Sequence, residues 1–483
     1  MKSFLALLFT IQFCIFCCSV FSQSARVAIA REPEWITKNA IDYYRISLDK
    51  HATDGYIDID FELQVSLTDQ CEYVKRSKRI ISQAGVQNAS QVEVSFNPSY
   101  QQLSFHSISI IRSGKTINKL ELSKIKTIHQ ESELNNFIYN GRLNALLILE
   151  DVRQGDVIEY SYSRKGFNPI FKNKYAENYY LNYPYPYYDI YYKLIVPPGR
   201  KMNFKTLNHN LEPVASTMKG QQVYEWHRKD VKPLIMQDYT PDWYDPFEQV
   251  LVSEYNSWKE VNDWALDLFP AGKTLSAQVQ NKIKEIEKAS AGDVEKKVKA
   301  VLRFVQDDIR YMGIEMGENS HKPADPSKVF AQRFGDCKEK SYLTCCMLNA
   351  MNVEASPVLI NTDSKHAINE LLPASIDFNH VTVRIKLGSG YYYYDPTIAY
   401  QRGDIKKLFF PDYQSGLVVE PNTNSLASIT FRNISSVHVR EYFKVKAMSG
   451  LGTLTVTSTF AGDEADRIRN TFNNTSVGEL MTS

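Results

Sequence analysis

Gly335-Asp336-Cys337-Lys338-Glu339-Lys340-Ser341 is the stretch on which the reading of this chain turns, together with Asn379-His380-Val381 and Tyr394-Asp395-Pro396. A glycine turn ahead of Cys337 predicts a helix from there to about Met351. A cysteine at a helix start meets unpaired backbone N–H groups and the positive end of the helix dipole, and both favour a thiolate. His380 opens a strand over Val381 to Leu387, and Asp395 closes another over Tyr391 to Tyr394. Paired as antiparallel neighbours, these strands bring the end of one beside the start of the other, so that Asp395 reaches the His380 ring. The three residues lie 43 and 15 positions apart, which leaves room for a helix, strands and loops between them. A buried Cys, a surface His and a turn Asp are each common alone. Their joint placement at element ends marks a nucleophile, a base and an orienting acid.

Working outward, apolar residues at helical spacing predict helices from Trp258 to about Phe269, from Ser276 to Ala289, and after Asp293 through Ile309. Ser257-Trp258-Lys259-Glu260 has the spacing of a capping box. Ala355 to Ile360 reads as a strand. Earlier in the chain, residues 40–230 change period: Tyr56 to Glu62 alternates strictly, and short strands recur at Val92 to Phe96, Leu103 to Ile111 and Val157 to Tyr160. Strands at such intervals predict a β-sandwich or an open barrel. A Pro- and aromatic-rich connector occupies 231–255, the α+β core 256–415, and a last β-rich stretch 420–483. That stretch ends without an obvious closing element, so a partial C-terminal β domain is expected.

Residues 1–22 read as a signal peptide, with Lys2, an apolar run from Phe4 to Val20 and a small residue at Ser22. The run is short for a bilayer span, and no later segment is apolar enough to cross one. Export to the periplasm or cell envelope is the expected localisation. Cleavage would remove three of the seven Cys and leave Cys71, Cys337, Cys345 and Cys346. Four cysteines in so long an exported chain are not a disulfide framework. Cys345 and Cys346 fall mid-helix and read as packing, and Cys71 stands alone in the β region. A formal charge of +1 over 483 residues excludes a dedicated nucleic-acid binder.

Other patterns carry less. Gly114-Lys115-Thr116 lacks the earlier Gly of a phosphate-binding loop, because Ser109 stands there. Asp58, Asp60 and Glu62 share a strand face, read as solvated and not as a cation site. No His or Cys pair has zinc spacing, and no metal or cofactor is expected. The chain has 30 Tyr, nine of them between Tyr175 and Tyr192. They read as strand residues with a wet hydroxyl at a sheet edge, in preference to a ligand-facing row.

The stretch from about Arg303 to Tyr400 resembles the transglutaminase-like superfamily, which has a papain-like Cys-His-Asp core. The matching pieces are Ile309-Arg310-Tyr311, the Gly-Asp-Cys-Lys run, Asn379-His380-Val381 and Asp395-Pro396. The β-rich region before it, with Gly155-Asp156-Val157-Ile158-Glu159-Tyr160, resembles the domain of unknown function that often precedes this core in exported bacterial proteins. The resemblance implies an α+β multidomain chain: a β-sandwich-like domain, a papain-like core and a partial C-terminal β domain. It assigns Cys337 as nucleophile, His380 as general base and Asp395 as orienting acid. Tyr311 is a weak candidate for an oxyanion donor beside the Cys337 N–H. Lys338 departs from the Trp that follows the nucleophile in many animal-type enzymes, and their calcium sites have no recognisable counterpart. Peptide or amide hydrolysis through a Cys thioester is therefore expected ahead of protein cross-linking, on a peptide, protein or glycopeptide. The alternative is a catalytically silent binding module for peptide or glycan at the cell envelope.

Overall fold

Strict alternation in the first half of the chain builds a nine-stranded sheet. Its order is Val27–Ile29, Gln102–Arg112, Val157–Lys165, Cys71–Ile80, Tyr56–Ser66, Tyr187–Val196, Gln221–Val231 and Val214–Met218, with Lys115–Asn118 paired beside Gln102–Arg112. The structure is a computed structural model and describes residues 27–131, 133–431, 435–445 and 450–480. The expected signal peptide, 1–22, lies outside them. Two three-stranded sheets cover one face of the large sheet. One is Gln91–Phe96, Leu143–Ile148 and Lys126–His129; the other is Ala176–Tyr180, Gln249–Ser253 and Asn203–Leu207. Phe61, Val74, Phe105 and Ile158 of the large sheet share a core with Phe96, Leu147, Tyr179 and Val250 of the small ones. This is sheet-on-sheet burial of two apolar faces. Helix α1, Gln83–Ala89, interrupts the β pattern.

Two expectations about this region are overturned. None of the three carboxylates is solvated, since Asp58, Asp60 and Glu62 are 6%, 1% and 1% exposed, and a bulge between Asp58 and Asp60 turns Asp58 away from the face that Asp60 and Glu62 share. The chain from about Arg31 to His51 covers it: Thr37 bonds Gln64 through N–H and carbonyl at 2.7 and 2.8 Å, and Arg79 donates to the Tyr43 and Arg45 carbonyls. The tyrosine row is mostly buried and not wet: Tyr175, Tyr179, Tyr187, Tyr188, Tyr191 and Tyr192 are at most 6% exposed, and Tyr185, at 37%, is the exception. Tyr187–Val196 is an interior strand buried along its whole length. The stretch 231–255, read as a connector, ends in the strand Gln249–Ser253 between two partners.

The second half supplies helices α2 (Trp258–Leu268), α3 (Ala277–Ser290), α4 (Val294–Arg303), α5 (Pro326–Gln332) and α6 (Cys337–Ala350). Their sheet runs Gly390–Tyr394, His380–Leu387, Ala355–Ile360, Ser415–Val418 and Ala427–Ser428. Helix α6 packs on the two strands Ala355–Ile360 and His380–Leu387. Ser257 precedes α2 as expected, but its side chain caps nothing; Glu260 is taken by Lys174 and Asn256 instead. Helix α4 stops short of the expected Ile309 and passes through a π-type turn, Phe304–Asp308. A hairpin, Ser436–Val445 with Gly452–Ala461, then leads to α7, Asp463–Asn474.

Candidate active site

Asp336 and Glu339 form a reciprocal capping box at the start of α6: the Asp336 side chain accepts from the Glu339 N–H, and Glu339 accepts from the Asp336 N–H, both at 3.2 Å. Gly335 is required by close approach, because a Cβ there would stand 2.9 Å from Glu339 Oε2 and 3.1 Å from Val329 Cγ1. The box fixes Cys337 as the first residue of the helix, where its N–H has no intrahelical acceptor. The Cys337 side chain is buried at 8% exposure.

His380 opens its strand opposite Ile360, and the strand Gly390–Tyr394 returns antiparallel beside it, Tyr394 against Val383. Asp395 then falls at the His380 ring, and Nε2 lies 2.8 Å from Asp395 Oδ2. The Cys337 thiol acts on the ring as well, and with Nε2 engaged by Asp395 Nδ1 is the nitrogen left for it. Burial alone would depress the His380 pKa, but Asp395 and the thiol hold it well above the usual imidazole value. Asp395 is 1% exposed. Burial pulls its pKa up, and His380 and Thr397 more than offset that, leaving it below the ordinary carboxylate value. The structure thus brings together Cys337, His380 and Asp395, the three residues selected from element ends. Ser341 Oγ donates to the Val381 carbonyl at 2.9 Å and ties the helix to the His380 strand.

Tyr311 is also at this site. The two-residue strand Arg310–Tyr311 pairs parallel with Phe334–Gly335, which sets Tyr311 opposite Gly335. Its ring packs against the apolar cluster that includes Cys337. Burial, the thiol and the Asp336 and Asp395 carboxylates raise its pKa, so the phenol keeps its proton as a donor.

Sequence reasoning missed the rest of the setting. Thr397 donates to Asp395 Oδ1 through its N–H (2.9 Å) and its hydroxyl (2.6 Å). Asp-x-Thr spacing after a strand is an Asx-turn signal and could have found it. Tyr413 donates to Asp395 Oδ2 at 3.0 Å and tilts over the His380 ring with centroids 5.6 Å apart; no local spacing announces it. Lys338, where the animal-type enzymes have Trp, is 3% exposed, and its ammonium lies between Asp336 and, at 3.0 Å, Glu315. The β region reaches the site too. Ile170 belongs to the same cluster as Cys337, and its carbonyl accepts from Trp264 Nε1 at 2.9 Å. Among the described residues no group of three or more His, Cys, Asp or Glu is gathered for a metal ion.

A cysteine at a helix start, an imidazole and a carboxylate on neighbouring strand ends, and a β-rich region ahead of them are features the known families can be compared with. Residues 280–396 match the transglutaminase-like superfamily, and residues 69–235 match a domain of unknown function with solved structures, DUF3857. The chain thus contains a transglutaminase-like core, with a DUF3857 domain ahead of it. No curated protein matches it. Among solved structures, a "putative protease" of Parabacteroides distasonis superposes with a TM-score of 0.62 at 14% identity, over 79% of this chain and 73% of that one. At that identity the likeness concerns the fold. A "putative cysteine protease" of Cytophaga hutchinsonii aligns at 11% identity over 59% of this chain and 88% of its own, with a TM-score of 0.22.

Proposed function

We propose that this protein is an exported cysteine-dependent acyl-transfer enzyme that cleaves a peptide or carboxamide bond. The observation that carries the reading is the His380 ring held between the Cys337 thiol and Asp395. His380 Nδ1 takes the thiol proton, and the thiolate attacks the carbonyl carbon. The carbonyl electrons move to oxygen, where the Cys337 N–H and the Tyr311 hydroxyl donate. The tetrahedral adduct collapses, the C–N bond breaks, and the leaving amine takes the proton from His380. A thioester remains. Water, deprotonated by His380, attacks it and releases a carboxylate and the thiol; an amine in place of water gives transfer. Asp395 holds the ring and supports the imidazolium formed in each half-reaction.

Lys338 supports hydrolysis ahead of cross-linking in this reading. Its ammonium occupies the space beside the nucleophile and is neutralised by Asp336 and Glu315, where the animal-type enzymes place Trp.

Iodoacetamide with peptide mapping tests the proposal. Cys337 should label in the wild type, ahead of Cys345 and Cys71, and labelling should drop by about tenfold or more in His380→Ala. Equal labelling of the two proteins overturns it. A Cys337→Ala protein that keeps its ligand and phenotype would favour the silent binding module. Cell fractionation and N-terminal sequencing of the mature chain test export.

A further inference from the structure

The first turn of α6 buries two lysines in opposite settings. Lys338 has two carboxylate partners. Lys340, 1% exposed, has none: its ammonium donates to the backbone carbonyls of Ile309 and, at 3.4 Å, Gln306. These carbonyls are free because α4 ends there. The π-type turn Phe304–Asp308 closes it, and Ile309 is already extended at φ −105°, ψ 106°. The last carbonyls of a helix lack intrahelical donors and attract a cation. Burying an ammonium without a counter-charge is costly, and an apolar side chain would fill the space at less cost. It could not bond two carbonyls.

The turn that Lys340 holds reaches two parts of the site, Tyr311 and the loop after Asp395. Two residues beyond Ile309 is Tyr311, set against Gly335. Gln306, on the same turn, donates through Nε2 to the Asp395 carbonyl at 3.1 Å and to Gln401 Oε1 at 2.9 Å. Asp307 accepts from the Tyr400 N–H at 2.8 Å and pairs with Arg402 at 2.7 Å. One turn therefore grips the loop after Asp395 on one side and feeds the Tyr311 strand on the other. Lys340 is the polar tie between it and the helix that bears Cys337, beside the apolar packing of Phe304, Val305 and Ile309 with Leu343 and Met347.

We propose that Lys340 is a positioning residue: its buried ammonium sets the Tyr311 hydroxyl and the Asp395 loop in register with Cys337. The proposal rests on the acyl-transfer reading, and it concerns the oxyanion donor more than the thiol. The charged groups that bear on Lys340 are Asp395, at the end of its strand, and Asp307, on the turn. They raise its proton affinity, but burial outweighs them and brings the pKa down to about 8. The ammonium is thus lost first on the alkaline side.

The test uses the full chain with two probes. Iodoacetamide reads the thiol and its base. Acetyl-Leu-Leu-phenylalaninal forms a hemithioacetal with a cysteine, and its oxygen reads the oxyanion donors. At pH 7, Lys340→Met should lose about tenfold or more in aldehyde affinity, with a smaller fall in its rate of alkylation. Lys340→Arg, which stays charged, should keep that affinity to pH 9, whereas the wild type weakens above pH 8. Aldehyde affinity in Lys340→Met equal to wild type, or parallel alkaline losses in wild type and Lys340→Arg, overturns the proposal. If Lys340→Met does not fold by circular dichroism, the wild-type and Lys340→Arg pH profiles decide. A wild type whose alkylation is independent of His380 and that ignores the aldehyde defeats the acyl-transfer reading itself, an outcome distinct from either result above.

Discussion

Asp395 shows how much of the site lies in residues that carry no chemistry. Its two oxygens accept four bonds, from Thr397 N and Oγ1, His380 Nε2 and the Tyr413 hydroxyl. A carboxylate at 1% exposure has to be bonded in this way to stay ionised. Tyr413→Phe removes one donor and leaves a lone pair buried, so urea unfolding should show a loss of about 1–3 kcal/mol, with slower His380-dependent alkylation. The pH dependence has a definite sign. The Asp395 pKa is lowered on folding, so its stabilising contribution is present above its unfolded value and is lost as pH falls through the folded one. Asp395→Asn should therefore flatten the acid limb of a stability–pH curve; an unchanged limb would mean another carboxylate controls it. At this scale the sequence was most legible for Cys337, His380 and Asp395, because a reactive side chain at an element end leaves a local mark. Tyr413 left none, since it arrives from 18 residues beyond Asp395 through a tertiary fold.

Single elements explain where pattern reading succeeds and fails. Helix α6 was foreseen at Cys337 because Gly-Asp before a helix is local chemistry, and Gly335 still tests it. Gly335→Ala would press a methyl on Glu339 Oε2 and Val329, break the capping box and cost about 1–3 kcal/mol. Thermal unfolding should register this, with slower alkylation of Cys337. The strand Tyr56–Ser66 gave the opposite result. Alternation predicts one wet face, but alternation cannot see a distant segment, and residues near 31–51 fold over that face. Asp60 is left with both oxygens unpartnered among the described residues, as is Glu62 Oε1. Burial, with Glu62 adding to it, raises the Asp60 pKa well above the usual carboxylate value. A raised carboxylate pKa means the unfolded chain ionises first, so stability falls as pH rises above about 4. Asp60→Asn removes that penalty and supplies donors where Glu62 lacks a partner. Its urea midpoint should exceed wild type at pH 8 and approach it at pH 4. A midpoint below wild type at pH 8 would show that the carboxylate is stabilised by a contact the strand face does not display.

For the molecule as a whole, the sandwich and the core share a single buried surface, and this was the least legible feature of all. Nothing local in Asn168-Pro169-Ile170-Phe171 announces a docking residue, yet Ile170 is 6% exposed inside the cluster that holds Cys337, Trp264 and Val381. Polar groups join the same seam: Asn168 Nδ2 to Ser320 Oγ at 3.1 Å, Ser253 Oγ to the Pro373 carbonyl at 2.6 Å, and the Tyr255 hydroxyl to Ser375 Oγ at 3.1 Å. The strand Ile138–Tyr139 adds backbone pairing with Gly313–Ile314. Such a seam cannot open without breaking these bonds and wetting the apolar wall beside Cys337, so the sandwich and the core should lose structure together. Calorimetry of the full chain should give one transition for both. Ile170→Ala should lower it by about 2–5 kcal/mol and, in the native state, speed modification of Cys337 by a bulky thiol reagent more than by iodoacetamide. Two resolved transitions, with Cys337 exposed only in the second and at an unchanged temperature in Ile170→Ala, would show instead that the core stands on its own and that the β region merely rests against it.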